Sequence, residues 1–134
     1  MSLFGAIGIS GSGIDAAQSW INTAAGNIAN ANDVVPTSQA VYGQETPIFT
    51  PQGSLGQVGD GVAVSGYDVA DTEGVVEYQP DNPMHDNQGD VRVANIDLGS
   101  QMVGLISAQT DYQANASALS HAKQAYQSAL TLGS

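Results

Sequence analysis

The stretch "IDAAQSWINTAAGNIANAND", residues 14–33, places Ile14, Ala17, Ile21, Ala24, Ile28 and Ala31 at alternating steps of three and four. That spacing keeps one face of an α-helix turned toward a partner helix, as in a coiled-coil seam. The same steps run back through Ser10, Ile7 and Leu3, but Gly5, Gly8, Gly11 and Gly13 interrupt that region. Each glycine costs about 1 kcal/mol relative to alanine in a helix interior. The sequence therefore predicts a helix over 14–31, weakened toward its start by glycine.

The polar residues of this helix are unusual. Asp15 is the only ionisable side chain in residues 1–32, and the polar positions include Asn27, Asn30 and Asn32. Amides and hydroxyls can be buried between helices when they find hydrogen-bond partners, whereas unpaired charges suffer a much larger desolvation cost. Thr23, Asn27 and Asn30 form a polar stripe beside the apolar seam, and Ala25, Gly26 and Ala29 offer close helix approach. The local alternative is that Asn30, Asn32 and Asp33 simply end the helix, since Asn and Asp suit turns.

A second helix is predicted near the C-terminus, with a seam of Leu98, Met102, Leu105, Gln109, Tyr112, Ala116, Leu119, Lys123, Tyr126 and Leu130. Asp97 is placed to cap its start and Gly133 its end. From residue 98 to 134 the ionisable side chains are only Asp111, His121 and Lys123. A helix whose outer side faces water usually carries more charge, and interface cores are charge-poor. Both helices are therefore expected to have neighbours on more than one face.

The middle differs in character: residues 34–97 hold ten of the thirteen acids. "GVAVSGYDVA" (61–70) and "GVVEYQP" (74–80) are short β-prone runs, while "TPIFTPQGSLGQ" (46–57) and "PDNPMHDNQGD" (80–90) are dense in turn residues. The expected fold is mainly α with a small β-containing insert. It divides into an N-terminal helical segment (1–33), an acidic, loop-rich β insert (34–97) and a C-terminal helix (98–134). The two ends, 1–33 and 98–134, are expected to pair as one coiled-coil-like helical core.

Composition narrows the chemistry. The 134 residues carry a formal net charge of -11, with Arg92 and Lys123 as the only basic side chains. Nucleic acid is excluded as a partner, because phosphate binding needs clustered Lys and Arg. Without cysteine there are no disulfides, thiolate zinc sites or cysteine nucleophile. No apolar run is long enough to span a bilayer, so no direct membrane insertion is expected. "MSLFGAIGIS" lacks the positive segment of a secretory signal, so any export is expected to use a route without a cleaved leader.

Specific motifs point weakly elsewhere. "GSGIDA" fits G-x-G-x-x-A, with Asp33 about twenty residues on, but the helical pattern leaves no room for the strand that a dinucleotide fold requires before that acid. Asp81, His85, Asp86 and Asp90 could gather around a divalent cation, yet "DNQGD" lacks the order of an EF-hand loop. "GISGSG" misses G-x-S-x-G, and no base and nucleophile pair is visible. Trp20, Tyr112 and Tyr126 read as packing residues rather than a ligand-stacking set. No catalytic residue, cofactor or metal ligand is assigned. A small acidic metal- or nucleotide-binding domain stands as the alternative from another functional class.

"SWINTAAGNIANAND" resembles the N-terminal signature of the flagellar axial proteins (rod, hook and hook-associated proteins), with Gly26 in place of the first asparagine of the A-N-N-I-A-N-x-N run. The segment from Pro80 to Ser134 resembles the C-terminal portion of the proximal-rod, FlgC-type branch of that family. It has N-P at Asn82–Pro83, a G-x-V turn at Gly89–Val91, the helix start Asn95–Asp97, and Y-Q-A-N at Tyr112–Asn115.

The resemblance implies a non-enzymatic structural subunit of the bacterial flagellar basal body, self-assembling into the drive shaft that transmits torque for motility. Another short rod protein of the same family is the nearer alternative. The implied partners are other rod proteins, further copies of the chain, and the flagellar type III export apparatus, with final location in the rod, in the periplasmic space. On this reading helix pairing and assembly fall to Ile14, Ile21, Ile28, Asn27, Asn30 and Asn32 on the first helix. On the second they fall to Leu105, Tyr112, Asn115, Leu119 and Tyr126.

Overall fold

The computed structural model describes residues 3–53 and 59–133. Residues 1–2, the 54–57 end of the turn-rich run at 46–57, and Ser134 lie outside the described residues. The chain begins with helix α1 (Leu3–Asn30) and ends with helix α2 (Leu98–Leu132). Between them lie β1 (Val34–Pro36), β2 (Glu45–Gln52), β3 (Gly61–Val69), β4 (Val75–Tyr78) and β5 (Asp90–Val93).

Helix α1 has 28 residues and α2 has 35, lengths of about 42 and 52 Å at 1.5 Å per residue. They run antiparallel along each other. Phe4 sets its ring edge-on to Tyr126 at 5.4 Å, Gly13 faces Asn115, Gly104 lies against Trp20, and Asn27 bonds Gln101. Helix α1 continues through Gly5, Gly8, Gly11 and Gly13, the stretch where glycine weakened the sequence pattern. Tertiary contact offsets the propensity loss there. A Cβ on Gly13 would come within 2.5 Å of the Asn115 amide, and the Ser12 hydroxyl bonds β3.

The buried apolar residues of the helices are small: Ala16, Ala17 and Ala24 of α1, with Ala31 just beyond its end, and Ala108 and Ala122 of α2. The predicted seam of α2 is therefore rotated. Leu105 and Leu119 are half-buried, but Met102, Gln109, Lys123 and Leu130 are exposed and Gln101, Ala108 and Ala122 take the inner row. Both rows have the required spacing. The inner one lets the backbones approach closely, whereas the other would place Lys123 at the contact, and burying an unpaired ammonium is costly. Similarly, Ala25 and Ala29, expected to allow close approach, are exposed, and Gly26 faces Tyr42 instead.

The insert forms two antiparallel sheets, β1-β5-β4 and β2-β3. Strands β3 and β4 lie within the two β-prone runs. Strand β2 corrects the reading of 46–57 as turn, because residues 45–52 pair with β3 from Glu45↔Val69 to Gln52↔Gly61, with a register shift at Ile48/Phe49. Pro47 and Pro51 made this segment look like a loop, but a two-stranded ribbon leaves each strand an open edge where a missing N–H is tolerated. Strand β5 is the centre of the other sheet: Val35 and Val76 both lie opposite Arg92, and Val91 is completely buried. Gly74, at φ +59, turns the chain into β4 where a Cβ would strike the Val93 carbonyl.

Asp97 caps α2 as expected, its carboxylate accepting from the Gly99 N–H at 2.9 Å, and Gly133 closes it by donating to the Ala129 carbonyl. Among the described residues no helix is long and apolar enough to cross a membrane.

Candidate functional site

The two helices and the insert meet at Asn27, which is 1% exposed. Its Nδ2 donates to Gln101 Oε1 of α2 and to the Glu45 carbonyl of β2, both at 2.8 Å. Its Oδ1 accepts from the Glu45 N–H at 2.9 Å and from the Tyr42 hydroxyl at 3.1 Å. Two donors and two acceptor positions are the full capacity of a carboxamide, so one side chain ties three parts of the chain with nothing left unpaired. Burial, and then the negative charge of Glu45, push the Tyr42 pKa up, keeping the phenol a donor toward Asn27.

A second tie lies at the end of α1. The Asp33 carboxylate accepts from the Tyr42 N–H at 3.2 Å, and its carbonyl accepts from the Ala94 N–H at 3.1 Å. The chain entering the insert is thus bonded to the chain leaving it. Farther along α1, the Ser12 hydroxyl donates to the Ile9 carbonyl at 2.8 Å and accepts from the Val62 N–H at 3.1 Å, which holds the start of β3 on the helix. Trp20 and Phe49 add an edge-on ring contact between α1 and β2 at 6.2 Å.

The residues singled out from sequence fall into three groups. Ile14, Ile21 and Ile28 are half-buried on α1, and Leu105, Asn115 and Leu119 are half-buried on α2. Tyr112 and Tyr126 are each 37% exposed. Asn27 alone among the asparagines joins the helices through hydrogen bonds. Asn115 packs against Gly13 while its amide donates to the Asp111 carbonyl, and Asn30 is exposed and donates to the Gly26 carbonyl of its own helix. Asn32 is exposed in the turn that follows.

Sequence reasoning missed Gln101, Tyr42 and Glu45. Gln101 carried a usable signal, because it begins the row Gln101, Ala108, Ala122 whose small members permit close packing. Tyr42 and Glu45 carried none, since their roles depend on where the insert folds back.

The alternative chemistries lose their geometry. "GSGIDA" lies wholly inside α1, so the strand-turn-helix frame of a dinucleotide site does not form there. In the acidic turn, Asp86 is engaged by its own chain: Oδ1 accepts from the Gln88 and Asp90 N–H groups, and Oδ2 from the Thr37 hydroxyl. The Asp90 and Gln88 amides, with Thr37, hold its pKa below the ordinary carboxylate value. Among the described residues no group of three or more His, Cys, Asp and Glu is placed to hold a metal.

What the pairing leaves uncovered is a long face of α2 on which Met102 is 58%, Val103 66% and Ile106 64% exposed.

Residues 87–132 match the family described as flagellar basal body rod FlgEFG protein C-terminal. The chain is 33% identical to the flagellar basal-body rod protein FlgC of Salmonella typhimurium and 35% identical to that of Yersinia enterocolitica, in each case over 99% of both proteins. The FlgC of Aquifex aeolicus is 33% identical, with 95% of this chain and 94% of the relative covered. Helical ends, intervening insert and end-to-end sequence similarity agree: the chain belongs to the FlgC family of flagellar basal-body rod proteins and is a structural component, not an enzyme.

Proposed function

We propose that this subunit builds the proximal rod by stacking its paired helices, residues 1–33 and 98–134, as a coiled-coil-like core in the inner layer of a helical tube, with residues 34–97 displayed outside. The observation that carries this reading is the outer face of α2, where Met102, Val103 and Ile106 stand exposed on a helix with almost no charge. Such a face suits burial against neighbouring subunits, because little charge has to be desolvated there. The neighbours are other rod proteins and further copies of the chain, and the assembled shaft transmits motor torque. The subunit reaches the periplasm through the flagellar type III export apparatus.

The test is Ile106→Glu in a strain whose own FlgC-family gene is replaced by this one. Ile106 is 64% exposed, so the free subunit should keep its stability to within about 0.5 kcal/mol. Export should continue while rods and swimming are lost. Normal swimming by the variant would refute the assembly role of this face.

A further inference from the structure

Two stripes stay uncovered when α1 and α2 pair. On α1, Gly8, Asp15, Gln18, Asn22, Ala25 and Ala29 are exposed; on α2, Met102, Ile106, Gln109, Gln113, Ser120 and Lys123 are exposed. Within each set the steps are three, four or seven residues, so each set lies along one side of its helix. The α2 stripe includes Met102, Gln109 and Lys123 of the row that the sequence marked as a seam and the fold leaves outside.

Each stripe carries a single charge, and the two are opposite. Asp15 is the only ionisable side chain in residues 1–32, and Lys123 is the only Lys or Arg of α2. Neither is bonded or ion-paired to another described residue. Asp15 lines a groove of about 550 Å³, whose other lining residues, among them Gly8, Gly11 and Ser19 of α1 and Val62 and Val64 of β3, are all uncharged. A lone carboxylate on a face that becomes buried needs a counter-ion, and so does a lone ammonium.

We propose that the outer stripe of α2 in one copy docks on the outer stripe of α1 in the next copy of this chain, with Lys123 paired to Asp15. This rests on the rod reading and names the contact that would propagate it. Within the chain Gly13 lies level with Asn115 and Asn27 with Gln101, which sets Asp15 level with Gln113. Lys123 is ten residues farther along α2. Bringing it beside Asp15 therefore displaces the second copy by about 15 Å along the helix axis. The contact joins unlike surfaces, so it stays open at both ends and extends into a filament.

The chain contains no cysteine, which makes cross-linking clean. Asp15→Cys and Lys123→Cys chains, produced together in a strain that depends on this gene, are treated in isolated basal bodies with a short bis-maleimide. A reagent is preferred to a direct disulfide because a Lys–Asp contact holds Cα atoms farther apart than a disulfide spans. The expected product is a dimer of this chain, given by neither variant alone. In parallel, Asp15→Lys or Lys123→Asp should each lower incorporation into basal bodies more than about tenfold, through like-charge contact. The double reversal should restore it to within about twofold.

Incorporated chains that give no dimer, cross-link to a different rod protein, or show no rescue would overturn the pairing and leave the rod reading intact. An unsubstituted chain that fails to co-purify with basal bodies would overturn both.

Discussion

Removing the Asn27 carboxamide should be the most damaging small change available in the free subunit. In Asn27→Ala the Glu45 N–H and carbonyl lose their side-chain partner, as do Gln101 Oε1 and the Tyr42 hydroxyl. Tyr42 is half-buried and can turn toward water. The two Glu45 backbone groups are held by the start of β2 and cannot, so each bears a penalty of roughly 1–3 kcal/mol when left unpaired in a buried site. Taking the lower half of that range for each, and allowing for the small cavity left behind, the loss is about 3 kcal/mol. For a chain of this size that corresponds to a fall in Tm of about 10 °C.

Thermal unfolding followed by circular dichroism reads the effect directly, with two companion variants. Asn27→Asp keeps the shape and the acceptors but turns carboxylate oxygen toward Gln101 Oε1 and the Glu45 carbonyl, so it should be at least as damaging. Asn30→Ala removes one exposed bond within its own helix and should cost less than about 0.5 kcal/mol. An Asn27→Ala subunit within about 1 kcal/mol of the parent would refute the idea that this amide holds helices and insert together.

Other consequences follow from the same geometry. Ile21→Asp puts a carboxylate on the half-buried row beside Ala17 and Ala24. It should abolish swimming while the protein is still exported, and normal motility in soft agar would count against that row as an assembly element. Gly74→Ala combines a φ of +59 with a Cβ aimed at the Val93 carbonyl. A loss of about 2 kcal/mol is expected in urea unfolding, and an unchanged midpoint would mean that the turn relaxes freely.

Asp86 has a lowered pKa, so its contribution is full above the ordinary carboxylate value of 3.8 and fades as pH falls through the lower folded value. The Gln88 and Asp90 amides should therefore lose hydrogen-exchange protection in that acidic window. They should lose it at every pH in Asp86→Ala, which removes the oxygen that both amides share, and pH-independent protection in the parent would contradict the assignment.

The helical ends were legible because their signals are local. Steps of three and four between Ile14 and Ala31, the Asp97 cap and the Gly133 stop act through neighbours within one or two turns, and the structure keeps all three. Strands β3 and β4 were legible for the same reason. Strand β2 was hidden by Pro47 and Pro51, which oppose a strand only where an N–H is required, and that depends on which edge the partner occupies. The glycines of α1 were misleading in the same way: their intrinsic cost was read correctly, but the contacts at Gly13 and Ser12 that offset it lie on other elements.

Local pattern also established that one face of each helix would be covered and that charge was kept off both, since hydrophobic spacing and the cost of burying an unpaired ion do not depend on the partner's identity. The choice between two equally spaced rows on α2 could not be made that way. It was decided by the burial of the small Ala108 and Ala122 in the fold, and by Asn27 reaching Gln101 from seventy-four residues away. Close packing and buried hydrogen bonds are short-ranged in space but not in sequence, so only the assembled fold could select which of the asparagines becomes the junction.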